Sequence, residues 1–161
     1  PYVRRIEGDL LPLTNHFEGP FASDPKNLRV REATSTLPRR ARLDELLSSR
    51  EAPIDPSSAI QILRDKKGVG GVVLPLGHRS ALDAVIATHA VVMDATDRVL
   101  WVSESPHLMG RFVRFDLTRL LDPAYEPKND ETVVTLPADP ALDDGTYEKW
   151  LGEGARHEGA M

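Results

Sequence analysis

Two apolar runs that flank a short polar segment constrain this fold more than any other sequence feature. Val91–Met93 and Val99–Val102 are rich in β-branched residues, and Asp, Ala, Thr and Arg fill positions 94–98 between them. Runs of this kind favour strands, and Asp and Thr favour turns. The pattern therefore predicts a β-hairpin.

A third strand is predicted at Arg111–Asp116. In an extended chain Val113 and Phe115 point to one side, and the other side carries Phe112, Arg114 and Asp116. The two hairpin runs are apolar on both faces, which is typical of a sheet that is covered on both sides. We therefore expect cover on both faces of a mainly antiparallel α+β fold.

Two helices are predicted before the hairpin. The first spans Leu37–Ser48, with Thr36 as its N-cap. The second begins at Asp55, a good cap, and has a proline at its first helical position. The two should form a helical hairpin on one face of the sheet. Three residues form the predicted buried stripe of the second helix: Ala59, Ile62 and Leu63.

The remaining segments carry shorter patterns. We predict short strands at Tyr2–Ile6, Leu10–Thr14 and Glu131–Leu136, the second irregular because it contains a proline. A loop is predicted at Glu18–Asn27 from its glycine and prolines. Asp139 should cap a helix that Gly145 weakens and that contains Leu142, Trp150 and Leu151.

The overall composition limits the class of protein. The 161 residues fit a single domain over positions 1–161, and glycines near the end predict a flexible tail at 152–161. A net charge of −5 argues against a general nucleic-acid surface. No apolar run approaches the roughly 20 residues that span a bilayer. Pro1 replaces an initiator Met, so we expect a processed chain or an excised piece, and its compartment cannot be assigned.

The absence of cysteine removes several chemistries at once. Disulfides, thiolate metal sites and cysteine nucleophiles are excluded within these 161 residues. The five histidines lack the spacing of a zinc motif. We therefore expect no metal and no cofactor. The histidines are His16, His78, His89, His107 and His157.

A serine hydrolase is a weaker alternative. Ser80 or Ser103 can be combined with His78 or His107, but the chain has no Gly-x-Ser-x-Gly elbow. A triad is recognised by geometry and not by the presence of its residue types. We expect neither serine to act as a nucleophile.

Two polar residues are candidates for a site. The amide of Asn15 can donate to a developing oxyanion if it faces a cleft, and the alternative is an asparagine that bonds its own loop. The planar guanidinium of Arg79 can orient a carboxylate, and the alternative is an ordinary surface charge.

Five stretches in order resemble the C-terminal portion of the acyl-coenzyme A:isopenicillin N acyltransferase-like family. These enzymes are self-processing N-terminal-nucleophile hydrolases, distantly similar to the bile-salt and penicillin V acylases. The resemblance covers Leu10–Leu117. The stretches are Leu13-Thr14-Asn15-His16-Phe17, Leu37–Leu47, Ile60–Asp65, Thr88–Asp94 and Arg98–Ser103.

The resemblance implies an αββα arrangement, in which two packed sheets lie between helical layers. It implies an acyltransferase or amide hydrolase that cleaves itself to expose an N-terminal cysteine, whose own α-amino group acts as base. Asn15 matches an asparagine that stabilises the oxyanion, and Arg79 lies near an active-site arginine of related acylases. His16 and Phe17, in the same motif as Asn15, are assigned to substrate binding.

The chain departs from this family because it has neither a cysteine nor a nucleophile at its first residue. We therefore expect a C-terminal fragment that is inactive alone. Its partners would be the N-terminal half of the enzyme and an acyl-amide or acyl-CoA-type small molecule. A severed half-sheet exposes apolar surface, which also favours self-association into homo-oligomers. The alternative is a non-catalytic binding or structural module.

Overall fold

The computed structural model describes residues 9–126 and 133–158, with side chains as far as Glu153. It has an α+β fold that contains a four-stranded antiparallel sheet of order β1-β2-β3-β4. The helices are α1 Pro25–Ala33, α2 Thr36–Ser48, α3 Pro56–Leu63, α4 Leu117–Leu120 and α5 Thr146–Glu158. The strands are β1 Val91–Asp94, β2 Val99–Ser103, β3 Phe112–Asp116 and β4 Thr135–Leu136.

The predicted hairpin and third strand are confirmed. β1 pairs with β2 so that Val92 lies opposite Trp101, and β2 pairs with β3 so that Trp101 lies opposite Arg114. Asp94 stabilises the turn of the hairpin, because its carboxylate accepts hydrogen bonds from the N–H groups of Thr96 and Asp97, both at 3.0 Å.

Helix α3 covers one face of the sheet. Ile60, which is 3% exposed, packs against Val99, Trp101 and Phe112. By the strand register, these three residues lie on the same face. Burial of such large apolar side chains is the main stabilising term for a core of this size.

The opposite face of the sheet is open, which contradicts the prediction of cover on both sides. Its residues alternate with those under α3, and Met93 is 71% and Phe115 38% exposed. Only one sheet occurs in the described residues. The strands are apolar on both faces, but the described residues cover only one of these faces.

The two predicted helices form, but they are arranged differently from a hairpin on the sheet. α3 packs on β1, whereas α2 packs mainly against α1 and the turn Val69–Gly71. Ser35 and not Thr36 is the N-cap of α2. The fully buried residue of α3 is Ile60, and the predicted stripe is only half-buried: Ala59, Ile62 and Leu63.

The start of α3 is well specified by its sequence. Asp55 accepts a hydrogen bond from the backbone N–H of Ser58 at 2.7 Å, and the Ser58 hydroxyl bonds back to complete a capping box. The backbone N–H of Ser58 and then its side chain hold the pKa of Asp55 below its usual value of 3.8.

Helix α1 was missed in the sequence, which predicted a loop at Glu18–Asn27. Asp24 caps this helix and Pro25 is its first residue, a signal that the chain does contain. Asn27, only 2% exposed, bonds the backbone of Phe17 and Ala22 and so folds the preceding loop onto the helix.

Two strand predictions also need correction. Leu10–Thr14 does not pair with any strand in the described residues. Pro12 lacks the N–H that a ladder needs. The strand predicted at Glu131–Leu136 is reduced to Thr135–Leu136, and its first residues lie outside the described ranges. Tyr2–Ile6 also lies outside them.

The C-terminal segment is divided at a glycine. Asp139 caps a short 3₁₀ turn at Pro140–Leu142, and Gly145, with φ of 82°, separates that turn from α5. α5 continues to Glu158, into the segment predicted as a flexible tail, and that flexibility stays a prediction. Its residues Tyr147 and Trp150 pack around the buried Met109 with Val85 and Ala141.

Three consecutive charged residues after α3 connect the parts of the fold. Arg64 donates hydrogen bonds to the carbonyls of Leu108 at 2.9 Å and Gly110 at 2.6 Å in the β2–β3 loop. Asp65 accepts two bonds from Arg42 of α2, both at 2.9 Å. Lys66 pairs with Asp83 at 3.2 Å and with Asp139. We call Arg64–Lys66 the junction.

None of the helices in the described parts of the chain has the length and apolar character needed to cross a bilayer.

Replacing Asp65 with Asn should destabilise the chain by about 3 kcal/mol, because it breaks a mostly buried ion pair and leaves the Arg42 charge with Glu45 alone. Asp44→Asn is the matched control. It removes a more exposed pair with Arg40 and should cost less than about 1 kcal/mol. Urea unfolding followed by Trp fluorescence measures both. Equal losses would show that the junction does not connect α2 to the rest.

Candidate functional site

A cleft of about 810 Å³ opens between three parts of the chain. Asn15 lies on one side, the end of α1 and the start of α2 form another, and segment 79–87 closes the third. Its lining mixes apolar residues such as Val30 and Ile86 with a few polar groups. Ligand sites commonly combine concavity, an apolar wall and a few converging polar groups in this way.

The backbone around Asn15 is fixed on both sides. The His16 Nδ1 atom lies 3.1 Å from the Thr14 hydroxyl and 2.9 Å from the Thr36 hydroxyl at the start of α2. Arg40 donates to the Pro12 carbonyl at 3.3 Å and pairs with Glu18. The segment that carries Asn15 is thereby tied to α2 at three points.

Asn15 itself lines the cleft with a free amide. The side chain is exposed, and it forms no hydrogen bond to any residue that the structure describes. The structure therefore does not show the alternative considered from the sequence, in which the Asn15 side chain bonds its own loop. Its backbone is anchored by its neighbours, and its unpaired amide is accessible to a ligand in the cleft.

Two arginines face the cleft beside Asn15. Arg39 comes from the first turn of α2, and Arg79 from the segment opposite. Burial and then repulsion by the Arg79 guanidinium hold the pKa of Arg39 below its usual range. The Arg39 Nε atom is buried without a hydrogen-bond partner.

The cleft does not neutralise these two positive charges. Glu32 also lines it, but neither arginine forms an ion pair within the described ranges. The Ser35 hydroxyl donates to the backbone carbonyl of Arg79 at 2.5 Å, which leaves its guanidinium available. Two unpaired guanidinium groups in one cleft favour an anionic ligand, because arginine binds carboxylates through a planar fork of donors.

The segment opposite Asn15 is strained. Val85 has φ of 53°, a left-handed conformation that β-branched residues rarely adopt. Its N–H donates to the Asp83 carboxylate at 3.1 Å, and its side chain is buried next to Met109. Strain held in place by packing clusters at functional sites. Here it positions the neighbouring Ala84 and Ile86 against the cleft.

Two other predicted site residues lie elsewhere. The His16 side chain is 6% exposed and is held by hydroxyl groups, so it does not line the cleft. Phe17 is exposed near Phe21, with 6.1 Å between ring centroids, and it does not line the cleft either. The structure therefore brings Asn15 and Arg79 together, and a role of His16 and Phe17 in substrate binding stays a prediction.

The serines and histidines considered for a serine hydrolase are not arranged as a catalytic triad. The Ser103 hydroxyl bonds the backbone of Ala90 and His107, and His78 accepts a hydrogen bond from the Ser80 N–H rather than from its hydroxyl. No serine hydroxyl and imidazole are hydrogen-bonded in the residues described. The same residues contain no cluster of three or more His, Cys, Asp or Glu that could hold a metal ion.

Arg39 is the functional candidate that sequence reasoning missed. It belongs to the basic run 39–42 of α2. Successive helical residues point in different directions, and in this run Arg40 pairs with Asp44, Arg42 pairs with Asp65 and Arg39 enters the cleft. The lack of an acidic residue four positions after Arg39 was the available signal.

No family model, curated protein or solved structure matches this chain. The family resemblance therefore stays a prediction, and the function has to be inferred from the cleft.

Proposed function

We propose that this chain is the C-terminal fragment of an acyltransferase or amide hydrolase of the N-terminal-nucleophile class. In this proposal the chain supplies the oxyanion donor and the substrate cleft, and a separate N-terminal polypeptide supplies the cysteine. The observation that carries the proposal is Asn15, whose free amide lines the cleft between anchored neighbours.

The chemistry assigned to Asn15 is electrostatic. Attack of a thiolate on an amide carbonyl places negative charge on the carbonyl oxygen. A side-chain N–H₂ donor that is already in position stabilises that charge more in the transition state than in the substrate. The N-terminal cysteine needs no histidine in this chain, because its own α-amino group accepts the thiol proton. This is compatible with a cleft that is not lined by any histidine in the described residues.

The two arginines support a substrate that carries a carboxylate. The guanidinium groups of Arg39 and Arg79 lack protein partners in the described ranges, and Arg39 is partly removed from water. An acyl amide or its amine product with a free carboxylate would relieve the repulsion between the two guanidinium groups. The αββα architecture belongs to the same proposal, in which the four-stranded sheet of the described residues would be one of the two sheets.

The alternative is a non-catalytic module that binds an anion. The same arginine pair favours it, because charge complementarity requires no nucleophile. The two proposals differ in what Asn15 does, since only catalysis needs its amide in the transition state.

Asn15→Ala should lower kcat by about 10²–10³ with little change in KM, because it removes one oxyanion donor. The measurement is amide hydrolysis by this chain produced together with the polypeptide encoded directly upstream. Ser80→Ala, in the same cleft, is the control and should leave kcat unchanged. Loss of activity in Ser80→Ala and not in Asn15→Ala would support a serine hydrolase instead. Absence of activity in the unaltered pair would favour the binding module.

Arg39→Gln and Arg79→Gln should each weaken binding of a carboxylate ligand about tenfold, because each removes a charge-assisted hydrogen bond. Isothermal titration with an N-acyl amino acid, and with its uncharged amide as the matched ligand, measures this on the chain alone. The uncharged ligand should bind equally to all three proteins. If the acid and the amide bind the unaltered chain equally well, the arginines do not select an anion.

A further inference from the structure

The segment 79–87 that closes the cleft alternates between two sides as a strand does, although it belongs to no helix or strand. Ala81, Asp83 and Val85 are each at most 3% exposed, and the residues between and after them line the cleft. A strand owes such alternation to its ladder of hydrogen bonds, so this segment must be held in another way. We call three of its lining residues the apolar wall: Leu82, Ala84 and Ile86.

The Asp83 carboxylate holds the apolar wall in place. Its Oδ1 atom accepts a hydrogen bond from the Val85 N–H at 3.1 Å. Within the described ranges, this is the only hydrogen bond made by the backbone of residues 84–86. The N–H of Asp83 donates to the Asp65 carbonyl at 3.0 Å, which connects the wall to the junction. Val85, with its left-handed φ of 53°, keeps that conformation only while its surroundings fix it.

The acceptor oxygen of Asp83 matters more to the wall than its charge. The Oδ2 atom lies 3.2 Å from the Lys66 ammonium and forms no hydrogen bond in the described residues. Lys66 also pairs with Asp139, so it keeps an acidic partner without Asp83. The Val85 N–H has no second acceptor in the same residues. Loss of the acceptor would therefore release the wall, whereas loss of the charge would not.

We propose that Asp83 is a positioning residue, which holds the apolar wall so that the apolar part of the ligand can bind against it. Ile86 on the wall is 60% exposed and Val30 on α1 is 39% exposed, so the cleft offers apolar surface on two sides. Burial of that surface contributes affinity independently of the arginines. The identity of the ligand rests on the proposed function, while the position of the wall depends on this chain alone.

Isothermal titration of the chain with four ligands separates the two contributions. The ligands are N-acetylglycine, N-hexanoylglycine and the uncharged amide of each. The ratio of hexanoyl to acetyl affinity measures the wall, and the ratio of acid to amide affinity measures the arginines. We expect the unaltered chain to bind the hexanoyl ligand about tenfold more tightly, because its additional methylene groups are partly buried.

Two variants separate the acceptor of Asp83 from its charge. Asp83→Asn keeps a carbonyl oxygen for the Val85 N–H and removes the charge, whereas Asp83→Glu keeps the charge and displaces the acceptor. Asp139→Asn is the matched control, because it removes the other charge beside Lys66 and does not line the cleft. We expect Asp83→Glu to reduce the hexanoyl preference to less than about threefold without changing the acid preference. Asp83→Asn and the control should keep both preferences.

Hydrogen exchange of the peptide that contains residues 79–87 measures the wall without any ligand. Exchange should be faster in Asp83→Glu and unchanged in Asp83→Asn. Circular dichroism verifies folding, and Asp83→Ala replaces Asp83→Glu if the longer side chain prevents it.

Equal behaviour of Asp83→Asn and Asp83→Glu in exchange and affinity would overturn the inference. A chain that selects the acid but shows no hexanoyl preference would also overturn it, and would leave the proposed function standing. A chain that binds none of the four ligands would refute the proposed cleft, and the exchange rates alone would then decide the role of Asp83.

Discussion

The junction Arg64–Lys66 is the constraint on which the rest of the structure depends. Asp65 holds α2 through Arg42, and Arg64 holds the β2–β3 loop by donating to backbone carbonyls. Arg64 also lies 5.1 Å from the centroid of the Phe112 ring and so reaches the buried core. Lys66 joins two acidic residues that are far apart in the sequence. These three side chains thereby connect α2, the end of α3 and the loop between β2 and β3.

The cleft and the open side of the sheet follow from this arrangement. Because α2 is held in place, its first turn can anchor His16 and present Arg39, and the cleft forms between that turn and segment 79–87. Because α3 occupies one side of the sheet, the other side stays open within the described residues. In the part of the chain that the structure describes, the cleft contains donors but no serine paired with a histidine, and one apolar face of the sheet is uncovered. In our proposal, another polypeptide supplies the nucleophile.

The sequence predicted what is set by local pattern. The hairpin follows from two β-branched runs around a polar turn, and α3 follows from Asp55 and the proline after it. Features that depend on contacts between residues far apart in the sequence were missed or predicted wrongly. α1 has a cap but no clear apolar stripe, and its Asn27 is buried by a loop that no pattern reveals. The position of Asn15 between anchored neighbours and the direction of Arg39 depend on contacts with residues 20 or more positions away. The apolar strands predicted cover on both faces of the sheet, but within the described residues only the face under α3 is covered.

The central claim is that this chain provides the cleft while another polypeptide provides the nucleophile. Intact-mass spectrometry of the co-produced pair, after incubation with an activated acyl ester, tests this most directly. We predict an acyl adduct on the N-terminal cysteine of the upstream polypeptide, none on this chain, and slower adduct formation in the Asn15→Ala variant. An adduct on Ser80 or on any other residue of this chain, or cysteine acylation at the same rate without this chain, would contradict the account.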